Sequence, residues 1–66
     1  MRIVLNGESV EAKVGSSIAK FLTELGIARE RVAVEVNSDI VPKARYDEHI
    51  LADGDRVEIV HFVGGG

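Results

Sequence analysis

The sequence contains no cysteine and no tryptophan, a single proline, and no long run of apolar residues. Without cysteine there is no disulfide framework of the kind small secreted domains use. There is also no thiol for chemistry and no thiolate for a metal, and a cytoplasmic location is expected. The opening MRIVLN carries no signal-like flank, and no stretch has the length of a membrane span. Neither charge sign dominates: the formal net charge is −3, with acidic and basic residues mixed along the chain. That balance argues against a nucleic-acid partner. The aromatic residues are only Phe21, Tyr46 and Phe62, so an aliphatic core of Ile, Leu and Val is expected.

What is present is globular in profile, with 45% hydrophobic and 29% charged residues. At 66 residues the chain is expected to form one small domain, burying about 60% of its unfolded surface. RIVLN alternates, with Ile3 and Leu5 on one face and Val4 on the other. SVEAKV alternates too, with Val10, Ala12 and Val14 together. Asn6-Gly7-Glu8 lies between them, which predicts a β-hairpin. After Gly15, Ser16 and Ser17 the period changes. Ile18, Phe21, Leu22 and Leu25 form one stripe of an amphipathic helix. Ser16 or Ser17 can cap it, and Gly26 can end it with Ile27 folding back.

RVAVEVN returns to period two, with Val32, Val34 and Val36 on one face. A turn at Asn37-Ser38-Asp39 leads to a very short strand, Ile40 and Val41, which Pro42 stops. KARYDEHILA reads as a connecting segment with one helical turn, anchored by Ile50 and Leu51. Asp53-Gly54-Asp55 is a turn, and RVEIVHFV is the last strand. The order is strand, strand, helix, strand, short strand, strand. This predicts an α+β fold, a mixed sheet of about five strands with one main helix on one face. It is the β-grasp order of ubiquitin-like proteins, which does not by itself give a function.

Few side chains suggest an active site. His49 and His61 lack metal-ligand spacing. Asp53 and Asp55 suit turn chemistry, and no serine has an adjacent histidine. Gly15-Ser16-Ser17 precedes a helix but lacks the lysine and glycine spacing of a phosphate loop. No catalytic residue, metal or bound cofactor is expected. The end of the chain is different. Residues 63–66 read as a flexible tail ending in Gly64, Gly65 and Gly66. Glycine has no Cβ, so such an end fits a tunnel too narrow for other residues. It holds the Gly66 carboxylate away from the folded body, where attack on the α-phosphate of ATP would make an acyl-adenylate. The same glycines also suit a merely frayed terminus.

Several stretches, in order, bear on that choice: RIVLNGE, SSIAKFLTELGI, VAVEVN with IVP two residues later, and DGDRVEIVHFVGGG. Together they resemble the thiamine-biosynthesis sulfur carriers, the ThiS family, along the whole chain. The resemblance implies that Gly66, preceded by Gly65, is the modified residue. A ThiF-like adenylyltransferase would adenylate it with ATP and Mg²⁺. Sulfur drawn from cysteine through a desulfurase would convert it to a thiocarboxylate. A ThiG-like thiazole synthase would take that sulfur. Tyr46 stands where many members have Trp, and Ser38 where Gly is common.

Val60 and Phe62 fall opposite Val57 and Ile59 on the last strand. With Val4 they are expected on the open face of the sheet, as a partner-docking patch. Arg45 and Arg56 could add charge complementarity. The free chain is expected to be a monomer. Three other readings remain: the small subunit of molybdopterin synthase, which tends to be longer with prolines before its glycines; a ubiquitin-like modifier that acylates lysines; and an interaction module with an inert tail.

Overall fold

The computed structural model describes residues 1–63 of the chain. Strands β1 (Arg2–Leu5) and β2 (Glu8–Glu11) form the opening hairpin, with Leu5 opposite Glu8. The two turn residues, Asn6 and Gly7, have φ of 47° and 85°. Positive φ at both positions matches the strand twist, which is why Asn-Gly is favoured there. β2 stops at Glu11, and the chain turns away before Gly15. The alternation therefore does not extend to Val14, which is 85% exposed rather than aligned with Val10 and Ala12.

Helix α1 (Ile18–Leu25) is capped by the Ser17 hydroxyl, which accepts from the Lys20 N–H at 3.0 Å. It ends at Gly26, φ 75°. The Ile27 N–H bonds the Leu22 carbonyl and the Gly26 N–H bonds Thr23, the paired arrangement that satisfies the last carbonyls of a helix. Ile18, Phe21 and Leu22 are buried, whereas Leu25, at the helix end, is 40% exposed.

A single 3₁₀ turn at Arg29–Arg31 leads into β3 (Val32–Val36), and a second tight turn joins it to β4 (Asp39–Val41). Asn37 and Ser38 there both have positive φ, 52° and 74°. Another 3₁₀ turn, Lys43–Arg45, opens the long connection to β5 (Arg56–His61). The sheet order is β2-β1-β5-β3-β4. β5 runs parallel to β1 and antiparallel to β3. The first and last strands, β1 and β5, thus lie side by side in the middle of a mixed sheet, and α1 covers one face.

Two expectations about the core need correction. It is not purely aliphatic: Phe21 and Tyr46 are 3% and 1% exposed and pack among Ile3, Ile18, Leu22, Val34 and Val57. In the connection, Leu51 is buried but Ile50 is 55% exposed. Backbone bonds from Ile18 N to His49 O and from Leu51 N to Ser16 O pair this segment with the approach to α1. Extended pairing alternates the side chains, so with Leu51 inside, Ile50 faces out. Tyr46 supplies the second anchor.

Candidate functional site

β5 places the end of the chain. Val57 and Ile59 are buried beneath α1, while Glu58 and Val60 face the other way. Ladder pairing with β3 holds the strand from Val57 opposite Val36 to His61 opposite Val32. One more backbone bond, from Phe62 N to Arg31 O at 2.9 Å, carries the pairing past the last strand residue. Val63 is 98% exposed. Gly64, Gly65 and Gly66 lie outside the described residues.

Val60 and Phe62 are each more than half exposed, at 57% and 58%. Val60 stands opposite Ala33 on β3. Val4, half-buried, is registered opposite Arg56 on β5. Arg56 precedes Val60 by four residues, about 13 Å of extended strand. Val4 therefore sits toward the opposite end of β5 from Val60 and Phe62. Ile40, 75% exposed and opposite Glu35 on β3, is an apolar residue of the open face that period two alone did not single out. Glu35 also stands opposite Glu58, so two like charges share that face.

The Phe62 ring has a fixed companion. The Lys43 ammonium lies 4.7 Å from its centroid and donates to the Val32 carbonyl at 2.9 Å. The Lys43 backbone carbonyl accepts from Arg29 at 2.9 Å, and Arg29 bonds both Asp47 carboxylate oxygens at 3.1 Å. Arg29 also lies 5.4 Å from the Tyr46 ring centroid. Burial pushes the Tyr46 phenol above its ordinary pKa, while the Val34 backbone and the Arg29 charge pull the other way. Lys43 escaped the sequence reading because its partner is far along the chain, and only strand register joins them.

The remaining polar candidates have structural occupations. The Asp53 carboxylate accepts from Arg2 N at 2.7 Å, and Asp55 accepts from Ala52 N at 2.8 Å and from the Asn37 amide at 3.0 Å. The Ser16 hydroxyl donates to Lys13 O at 2.7 Å. His49 is half-buried with its carbonyl bonded to Ile18 N, and His61 is exposed. Among the described residues, no group of three or more His, Asp or Glu side chains could hold a metal ion. A groove beside α1, lined by Lys20, Thr23, Ile27, Arg29 and Asp47, shares no residue with β5 or its exit. No helix among the described residues is long and apolar enough to cross a membrane.

The model of the ThiS family matches residues 3–66. The chain belongs to the ThiS family. The sulfur carrier protein ThiS of Bacillus subtilis is 44% identical over 63 residues, 94% of this chain and 96% of that protein. The thiazole synthase of Paramagnetospirillum magneticum is also 44% identical, over all of this chain but 20% of its own length. The chain thus spans about one fifth of the thiazole synthases it matches. The crystal structure of the thiamine biosynthesis protein ThiS from Geobacter metallireducens superposes with a TM-score of 0.83 at 32% identity, with both chains fully covered. The shared architecture is the β-grasp fold, as the strand and helix order led one to expect.

Proposed function

We propose that this ThiS-family chain carries sulfur for the thiazole ring of thiamine, with the Gly66 carboxylate as the reacting group. The carboxylate attacks the α-phosphate of ATP on an adenylyltransferase, forming the acyl-adenylate and releasing pyrophosphate. A sulfide equivalent, drawn from cysteine through a desulfurase, then displaces AMP and leaves a thiocarboxylate. Thiazole synthase takes the sulfur, and the carboxylate returns. ATP and Mg²⁺ belong to the partner enzyme; the carrier acts as a protein co-substrate and contributes no catalytic side chain. A glycine end suits this chemistry because it passes through a narrow channel to the partner's nucleotide. Val60 and Phe62 dock the partner beside the point where the tail leaves the sheet; Val4, at the other end of β5, stands apart from that patch.

The observation that carries this reading is the near end-to-end similarity to a sulfur carrier, 94% of this chain against 96% of the relative. The family match also runs through the terminal glycines to residue 66. Complementation tests it. In a thiamine auxotroph lacking its own carrier, the chain restores growth without thiamine, and Gly66→Trp at equal abundance does not. Growth restored equally by Gly66→Trp, which keeps a terminal carboxylate but adds a bulky side chain, would refute the need for a glycine end that passes through a narrow channel.

A further inference from the structure

Phe62 is the last residue among those described whose backbone is tied to the sheet; Val63 beyond it is almost wholly exposed. Whatever sets the direction of the chain at Phe62 therefore sets where the terminal glycines begin. The backbone is held by the Arg31 carbonyl. A backbone bond alone leaves the ring free to rotate and the following peptide free to swing. The ring of Phe62 is more than half exposed, yet one of its faces carries the Lys43 ammonium.

Lys43 is placed firmly for this task. It follows Pro42, whose φ of −62° fixes the entry to the 3₁₀ turn. Its carbonyl is gripped by Arg29, itself tied to Asp47. Its ammonium donates to Val32 O, on the strand next to β5. An ammonium has three N–H groups and no acceptor. One N–H is committed to Val32, and the positive head faces the electron-rich ring, a favourable pairing for an aromatic and a cation.

We propose that Lys43 is a positioning residue for the C-terminal segment: bridging the Val32 carbonyl and the Phe62 ring, it fixes the heading at which the chain leaves β5. The consequence for adenylation rests on the function proposed above. A tail already headed toward the partner's active site loses less freedom on binding. Removing the bridge weakens engagement of the carrier and leaves the chemical step largely unchanged once the complex has formed.

The test uses the full chain with Lys43→Met, which keeps an unbranched side chain and removes the charge, and Lys43→Arg, which restores a cation and donors. In pyrophosphate exchange by the adenylyltransferase, Lys43→Met is expected to raise KM for the carrier about three- to tenfold with kcat within twofold. Lys43→Arg recovers most of that loss. In a Phe62→Leu background the further effect of Lys43→Met disappears, because Lys43 acts through the ring. Backbone ¹⁵N relaxation of the free protein is expected to show faster motion at Phe62 and Val63 in Lys43→Met. Unchanged relaxation there overturns the proposal, as does an undiminished KM effect in the Phe62→Leu background. The relaxation arm needs no partner. If the wild-type chain supported no exchange, the proposed function would fail, and the heading role would still be decided by relaxation.

Discussion

The side-chain amide of Asn6 pairs with both backbone groups of Ile59. The Ile59 N–H donates to Asn6 Oδ1 at 2.8 Å, and Asn6 Nδ2 donates to the Ile59 carbonyl at 3.2 Å. β1 has already turned back at this point, so the side chain extends the parallel pairing that Asn6 N makes with Val57 O. The hairpin turn and the central strand are thereby joined through one residue that also adopts positive φ.

Asn6→Ala should therefore cost more than an ordinary turn substitution. It strips both partners from Ile59 and forces alanine into the left-handed region, about 2–3 kcal/mol together. Asn6→Gly keeps the turn conformation and should lose about 1–2 kcal/mol. Urea denaturation measures both. Equal stabilities for Asn6→Gly and wild type would show that the Ile59 pairing contributes nothing.

Ser38 holds φ 74° in the β3–β4 turn, a region glycine enters without steric penalty. Ser38→Gly should stabilise the protein by about 0.5–1 kcal/mol, the strain relieved outweighing the entropy glycine adds to the unfolded chain. For a domain of this size that is roughly 3–6 °C in Tm. A lower melting temperature for the variant would contradict the strain argument.

Tyr46 gives stability a dependence on alkaline pH. Its folded pKa is raised by burial above the ordinary 10.0. Below pH 10 the phenol is protonated in both states, and the contribution is fully present. As pH rises through 10 the unfolded chain loses its proton first, so this contribution falls until the raised folded value is passed. Tyr46→Phe lacks the titration. The stability of wild type relative to Tyr46→Phe should therefore decline as pH rises through 10. Parallel curves from urea denaturation would refute the assignment.

Phe62→Ala should leave the fold intact, because the ring is 58% exposed; its Tm should stay within about 3 °C of wild type. Adenylation at subsaturating carrier should fall about tenfold if the ring is a docking anchor. Equal rates for the two proteins would remove Phe62 from the docking surface.

Much of this architecture follows from local pattern. Asn6-Gly7 announces the first hairpin, Ser17 and Gly26 bracket α1, and the alternation of Val57 and Ile59 against Val60 assigns the faces of β5. The failures arise where burial is decided by distant partners. KARYDEHILA has no period, so nothing local marks Tyr46. It is buried because its carbonyl accepts from Ala19 N and its ring lies beneath Arg29. Alternation alone puts Val4 on the open face, whereas its distance from Val60 and Phe62 depends on the parallel register that sets it opposite Arg56. Lys43 and Phe62 meet only because β3 and β5 are paired. Gly66 stands out through the chemistry of a bare carboxylate and through family resemblance, and no packing argument bears on it.

The central claim is that Gly66 carries sulfur, and the absence of cysteine makes it directly measurable. The chain is incubated with ATP, Mg²⁺, the adenylyltransferase and a sulfur source, then treated with a thiol-alkylating reagent and weighed intact. Digestion locates the label, which separates a thiocarboxylate from oxidation of Met1. The expected result is one alkyl group on the C-terminal peptide, lost when ATP is omitted. A chain that stays unlabelled while a known carrier is labelled alongside would contradict the account.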